Sequence, residues 1–293
     1  MDLYNQYREE YGMGPDDRTV AYELESLLSS PAGPSPDDQT LKTLFSLLDL
    51  TTLNSEDNEA TARRFTERLN GFPSSFPGTP SVAALCVYPT LVDEVKRTLE
   101  VPGIKLAAVG AGFPSSQTLI SVKLAECELL VRKGADEIDI VISVGRFLAG
   151  ECRNVLNELI LIREACSNTT LKVILETGSL KSAENIRLAS LLAMEAGADF
   201  IKTSTGKNAV SATPEAVYVM CLAIRDFYAR TGKAVGIKPA GGIVEITDAL
   251  KYYQLVNTLL GDEWVAPERF RIGASRLANN LLSALNHQEI KYF

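Results

Sequence analysis

Histidine is almost missing from this 293-residue chain; the one copy, His287, sits in the last seven residues. That scarcity argues against a histidine-built zinc site and against a Ser-His-Asp triad. Cysteine is sparse and scattered. Cys86, Cys127, Cys152, Cys166 and Cys221 are odd in number and form no Cys-x-x-Cys pair. A disulfide framework and a cysteine zinc site both fit poorly, and a reducing cytoplasmic setting fits well. No run approaches the roughly 18 consecutive apolar residues of a membrane span. Residues 1–17 are polar and lack the basic start and apolar run of a secretory signal. Basic excess is lacking too: 29 Lys+Arg against 37 Asp+Glu give a net charge of −8, which speaks against a nucleic-acid partner. What remains is ordinary globular composition, 46% hydrophobic and 23% charged, in one large domain or two ordinary ones. Acid–base chemistry in such a chain falls to Lys, Asp, Glu, Tyr or Cys.

Residues 1–37 read as an N-terminal extension, with a short helical pattern at 19–28 and a Ser/Pro/Gly linker at 29–36. From 38 to 293, apolar β-branched runs alternate with helical patterns. The runs lie at 48–53, 82–87, 104–109, 137–142, 171–176, 199–203, 234–238 and 270–273. Helical periodicity appears at 58–69, 90–99, 116–133, 147–166, 182–196, 214–230, 247–259 and 275–286. Ser115 and Ser116 are suited to cap one helix, and Gly134 and Gly197 to end two others. Eight such units over about 250 residues predict a (β/α)8 TIM barrel with an N-terminal helical extension. An open doubly wound sheet is the alternative, because alternation alone does not show whether the sheet closes.

A barrel works at the C-terminal ends of its strands, and polar residues gather there. Lys202 and Lys238 end consecutive strands and run into glycine-rich loops. Neighbouring parallel strands lie about 4.8 Å apart, so both amines can face one pocket. A second cation and desolvation lower a lysine pKa, and a neutral amine attacks a carbonyl to form a Schiff base. Two snorkelling lysines are the plainer alternative. Asp139, flanked by isoleucines, shares an inward face with Val141 and needs a partner such as Lys172, Lys202 or Lys238. Its functional reading is a proton shuttle, and its structural one an ion pair. Asp49 lies on the first strand. The loops 204–207, 241–242 and 273–275 bring Thr205, Gly206, Lys207, Gly241, Gly242, Gly273 and Ser275 to the same rim, as backbone N–H groups cradling an anion would require. Gly206-Lys207 is no P-loop, since Ile201 and Asn208 stand where Gly and Ser/Thr belong. The Gly110-Ala111-Gly112 segment lacks the third glycine of a dinucleotide fingerprint. Cys86 reads as core before nucleophile. Glu176 reads equally as a pocket carboxylate and a helix cap, and His287 as a surface residue.

These segments resemble deoxyribose-phosphate aldolase, a family of class I aldolases. The resemblance rests on Leu48-Asp49-Leu50-Thr51-Thr52-Leu53-Asn54, Cys86-Val87-Tyr88-Pro89, Ala108-Val109-Gly110-Ala111-Gly112-Phe113-Pro114, Asp136-Glu137-Ile138-Asp139-Ile140-Val141, Lys172-Val173-Ile174-Leu175-Glu176-Thr177, Phe200-Ile201-Lys202-Thr203-Ser204-Thr205-Gly206-Lys207, Gly236-Ile237-Lys238-Pro239-Ala240-Gly241-Gly242 and Arg271-Ile272-Gly273-Ala274-Ser275. It implies reversible cleavage of 2-deoxy-D-ribose 5-phosphate to D-glyceraldehyde 3-phosphate and acetaldehyde, without metal or cofactor. It further implies Lys202 as the Schiff-base lysine, Lys238 as its pKa-lowering neighbour, Asp139 as the proton shuttle and Lys172 in support. The phosphate site it implies uses Gly206, Lys207, Gly241, Gly242, Gly273 and Ser275; we add Asp49 and Thr205 as substrate contacts. Two departures stand out: Arg276 where many members carry a small hydroxyl residue, and a penultimate Tyr292 where some end in tyrosine. The expected partner is a small sugar phosphate, with homo-oligomerisation, a dimer first, and no membrane. Another Schiff-base sugar-phosphate aldolase and a non-catalytic phosphate-binding barrel are the rival readings.

Overall fold

The protein is described here by a computed structural model covering residues 3–29 and 36–293. Eight strands are present among these residues: β1 (Leu48–Thr51), β2 (Ala84–Val87), β3 (Lys105–Val109), β4 (Glu137–Val141), β5 (Thr170–Ile174), β6 (Phe200–Lys202), β7 (Gly236–Lys238) and β8 (Ile272–Ala274). Each overlaps the apolar run predicted for it, because strands buried on both faces show themselves as runs rather than alternation. All neighbours pair in parallel, in the order β7-β6-β5-β4-β3-β2-β1-β8. Parallel bridges Ile237–Phe270 and Ala240–Gly273 then join the two ends. The sheet closes into a (β/α)8 barrel rather than lying open.

Period two divides each strand between two environments. Leu85, Leu106, Ile138, Ile140, Val173 and Ile201 turn outward into the main core. Ala84, Cys86, Ala107 and Val109 form a separate small apolar cluster with Leu53. Facing them from β4 to β7 are Glu137, Asp139, Lys172, Lys202 and Lys238, all buried. The barrel interior thus has one apolar wall and one charged wall. Gly236 makes room within it: a Cβ there would lie 2.4 Å from the Phe200 ring. Gly236→Ala is expected to cost about 1–3 kcal/mol through overpacking. A lower urea midpoint at unchanged slope would register it, and an unchanged midpoint would refute it.

The helices are α1 (Leu3–Tyr11), α2 (Asp17–Leu28), α3 (Asp38–Ser46), α4 (Glu59–Ser75), α5 (Val92–Thr98), α6 (Ile120–Arg132), α7 (Val144–Leu148), α8 (Cys152–Ala165), α9 (Thr177–Leu180), α10 (Ala183–Glu195), α11 (Pro214–Thr231), α12 (Ile246–Leu260) and α13 (Arg276–Asn286). Gly134 and Gly197, at φ +81° and +91°, follow α6 and α10 as helix-ending glycines should. Two expectations need correction. The single helix expected over 147–166 breaks into α7 and α8 around Gly150, whose φ is +82°. Ser115 and Ser116 do not cap α6, which starts at Ile120 with no side-chain cap. Ser116 instead adopts φ +58° and accepts a hydrogen bond from the buried Lys123 amine at 2.7 Å.

The N-terminal helices dock on the barrel's outer layer. Asp17 accepts the Ala183 backbone N–H at 2.7 Å, Arg187 donates to the Tyr11 carbonyl at 2.6 Å, and the Tyr11 ring stacks on Phe227. The predicted linker falls on residues outside the described ones, apart from its ends. Among the described residues no helix is long and apolar enough to cross a membrane.

Candidate active site

Asp139 is the centre of the charged wall. Its position on β4 pairs in register with Lys172 on β5, and Lys202 on β6 pairs in register with Lys238 on β7. Three amines converge on one carboxylate. Lys202 Nζ and Lys238 Nζ each lie 2.8 Å from Asp139 Oδ2, and Lys172 Nζ lies 2.9 Å from Oδ1. The sequence reading brought these four residues to one pocket mouth, and the structure places them within direct contact.

A second layer lies next to this one. Lys238 Nζ is 2.5 Å from Asp49 Oδ2, and Arg271 Nη1 is 2.5 Å from Asp49 Oδ1. Arg271 Nη2 reaches Glu137 Oε1 at 2.8 Å, and Lys172 Nζ reaches Glu137 Oε2 at 2.5 Å. The contacts form a closed ring of alternating sign: Asp139, Lys238, Asp49, Arg271, Glu137, Lys172 and back to Asp139. Three carboxylates and three cations balance. Lys202 hangs on Asp139 outside the ring, so four cations face three carboxylates in all. A buried network tolerates its charges only when each is paired, and the Lys202 proton is the one that the balance does not need.

The electrostatics follow that count. Burial pushes the Lys202 amine below its ordinary value; Asp139 opposes this and Lys238 adds to it. Burial also works against charge on Lys238, but Asp139 and Asp49 outweigh it and hold that amine above its ordinary value. The same contest leaves Lys172 raised, with Asp139, Glu137 and Asp49 as its anions. Asp139 is held well below the carboxylate range: burial opposes this, and Lys172, Lys202 and Lys238 win. The lowering of Lys202 therefore comes from desolvation before it comes from its neighbour lysine.

Above the lysines a cavity of about 190 Å³ opens at the strand ends. Lys202 lies at its floor, and Gly206, Lys207, Gly241, Gly242, Ser275 and Arg276 line its rim, with Gly273. The loops approach closely because glycines stand where they meet. A Cβ on Gly241 would lie 2.7 Å from Ser211 and 3.0 Å from Gly206 Cα, and the φ of Gly241 is +87°. Lys207 donates its amine to the Leu53 carbonyl across the mouth. Ser275 and Arg276 are exposed where α13 begins. A buried amine beneath a rim of glycines and cations suits a carbonyl compound bearing an anionic group.

Asp49, Cys86 and Tyr292 sit away from the cavity, and Thr205 is at its edge with its hydroxyl engaged. Asp49 is fully buried in the ring, engaged by Lys238 and Arg271, and does not line the cavity. Thr205 lines the cavity, but its hydroxyl donates to Glu176 at 2.6 Å. Glu176 thereby finds its role as the anchor of the loop after β6, since it also accepts the Thr205 N–H at 3.2 Å. Cys86 belongs to the apolar wall, and burial pushes its thiol up to about 11, so it stays protonated. Tyr292 packs on α4, with its hydroxyl donating to the Arg68 carbonyl at 2.7 Å. Glu137 and Arg271 went unassigned. Glu137 was detectable, because it stands two residues before Asp139 and must share its face. Arg271 opens the Arg271-Ile272-Gly273-Ala274-Ser275 segment, but nothing local marks its partners, one of them 222 and the other 134 residues away.

Residues 44–257 match the model of the DeoC/LacD family of aldolases. The human deoxyribose-phosphate aldolase is 42% identical over 251 residues, covering 82% of this chain and 79% of that one. The mouse deoxyribose-phosphate aldolase gives the same identity and coverage. Among solved structures, the tetrameric deoxyribose phosphate aldolase of Aeropyrum pernix superposes with a TM-score of 0.65 at 24% identity, over 92% of this chain and 98% of that one. That last likeness is one of fold.

Proposed function

Because the chain belongs to the DeoC/LacD family of aldolases, we propose that it is a Schiff-base aldolase that reversibly cleaves 2-deoxy-D-ribose 5-phosphate to D-glyceraldehyde 3-phosphate and acetaldehyde. The observation that carries this reading is the Lys202 amine, buried, lowered in pKa and surplus to the charge balance, at the floor of a cavity with a cationic, glycine-lined rim.

The neutral Lys202 amine attacks C1 of the open-chain sugar, and loss of water leaves an iminium. The bond that breaks is C2–C3, since the two-carbon fragment leaves as acetaldehyde. Its electrons flow into the iminium to give an enamine, while the C3 hydroxyl gives up its proton and becomes the aldehyde of glyceraldehyde 3-phosphate. Protonation of the enamine at C2 and hydrolysis then return Lys202. Asp139, with Lys238 and Lys172 on its oxygens, is placed to move these protons. The phosphate belongs at the rim with Gly206, Lys207, Gly241, Gly242, Gly273 and Ser275, and Arg276 adds a cation there. The apolar wall of Leu53, Cys86 and Val109 suits the methyl end. The net charge of −8 is no obstacle, because the local field decides how an anion is held. A cytoplasmic setting and a homo-oligomer, a dimer first, belong to the same reading. The buried thiols support the first, and the tetramer described for the Aeropyrum pernix relative supports assembly.

Borohydride trapping tests this directly. Incubated with deoxyribose 5-phosphate and reduced, the protein is expected to gain a two-carbon or sugar-phosphate adduct on Lys202, located by mass spectrometry. An unmodified Lys202 in a folded protein that binds the sugar phosphate would refute the aldolase reading and favour a binding barrel.

A further inference from the structure

Arg271 touches no substrate in the proposed chemistry, yet its guanidinium is buried with 4% of the residue exposed. Desolvating a cation is expensive, and such a group persists where its charge is used. Here it closes the ring. Nη1 reaches Asp49, Nη2 reaches Glu137, and Nε donates to the Pro267 carbonyl. Without Arg271 Asp49 keeps Lys238 and, at 3.6 Å, Lys172, while Glu137 keeps Lys172 alone, so three carboxylates share two cations. Lys202, the remaining cation on Asp139, then becomes the charge that the balance requires.

We infer that Arg271 is a positioning residue that favours the neutral form of Lys202 by supplying the third positive charge of the ring. The inference rests on Lys202 as the imine-forming amine. The groups that face Lys202 are Asp139 on β4, Lys238 on β7 and the Cys86 thiol on β2. Lys172 on β5, Asp49 on β1 and Glu137 on β4 act through Asp139 and Lys238. Lys207 and Arg276 share the cavity above. Arg271 thus acts across two carboxylates, and its effect has a sign that Glu137 must oppose.

The test is a charge-swap series read by carbon NMR of the full chain labelled at the lysine ε-carbon. Lys202 is assigned by its absence in Lys202→Met, and its titration needs no turnover. Arg271→Met is expected to raise the Lys202 pKa by about one unit or more, Glu137→Gln to lower it, and the double variant to return it to within about half a unit of the parent. Arg271→Lys should restore the parent value in part. The acid limb of kcat/KM for deoxyribose 5-phosphate should move in the same directions, so that Arg271→Met loses about tenfold below the limb and recovers above it. A purely structural role would depress activity at all pH values in both single variants. An unmoved Lys202 titration, or shifts of one sign in both, would overturn the inference. If Arg271→Met does not fold, Glu137→Gln decides alone: a downward shift upholds the inference, and an unmoved or upward one overturns it. Failure of the aldolase reading shows separately, as a parent protein with no borohydride adduct on Lys202.

Discussion

Lys202→Met should lose turnover of deoxyribose 5-phosphate by a factor on the order of 10⁵, the scale seen when a covalent nucleophile is removed, while the protein stays as stable as before. The second half of that expectation is the more discriminating. Removing one partner of a buried ion pair ordinarily costs several kcal/mol, because the other charge is left alone. Lys202 is the exception in this network. Asp139 keeps Lys238 and Lys172, and the ring keeps three charges of each sign. Methionine fills the vacated volume without bringing a charge. The melting temperature is therefore expected to stay within about 3 °C of the parent. Lys238→Met supplies the contrast, since it removes a ring member and leaves Asp49 and Asp139 short of a cation; it should melt much lower. Calorimetry on both variants, beside a coupled assay for glyceraldehyde 3-phosphate, reads the whole pattern. A Lys202→Met protein that melts as low as Lys238→Met would show that Lys202 is part of the charge balance and carries its proton in the resting enzyme. A variant with near-parent turnover would remove Lys202 from the mechanism.

The barrel was legible because its strands are short apolar runs with both faces covered, and because glycines such as Gly134 and Gly197 mark where helices stop. What escaped was helical structure that owes its stability to docking. The α1 segment is polar and tyrosine-rich, but Leu3, Tyr7 and Tyr11, spaced four apart, are its buried residues. Tertiary packing, not propensity, makes such a helix. The split between α7 and α8 escaped for the opposite reason: the apolar pattern runs across Gly150, and only the positive φ there shows the break. In the site, Lys202, Lys238, Asp139 and Lys172 could be brought together from strand position alone. Adjacent parallel strands carry equivalent ends to one rim, and period two chooses the face. Depth was harder to read. Asp49 shares the strand-end neighbourhood of Lys238, and both lie inside the ring rather than at the rim. Thr205 lies at the rim with its hydroxyl already committed to Glu176. A linear motif reports which residues meet, and the third dimension decides which of them remain free to meet a ligand.

Asp139→Asn should separate the two tasks that the charged wall performs. The amide keeps the shape and removes the anion that three lysines share. Leaving buried cations uncompensated is expected to cost about 3–5 kcal/mol, a fall in melting temperature on the order of 10 °C for a chain of this size. Turnover should drop by about 10³-fold, within the range for loss of a general acid–base group. Imine formation is expected to survive, because removing an anion beside Lys202 favours its neutral form. Borohydride should still mark Lys202, and proton transfer should be the step that fails. The pH dependence gives an independent check of sign. The Asp139 carboxyl is held well below its ordinary value by Lys172, Lys202 and Lys238 against the cost of burial. A depressed carboxylate contributes its full stability above the unfolded value of about 4 and loses it as pH falls toward the folded value. The parent should exceed Asp139→Asn in melting temperature by a constant margin above about pH 4, and the margin should shrink in stronger acid. A margin that stays constant down to about pH 2.5 would mean that the carboxyl gains nothing from the lysines. An adduct that vanishes with turnover would place Asp139 in imine formation rather than in the proton steps that follow it.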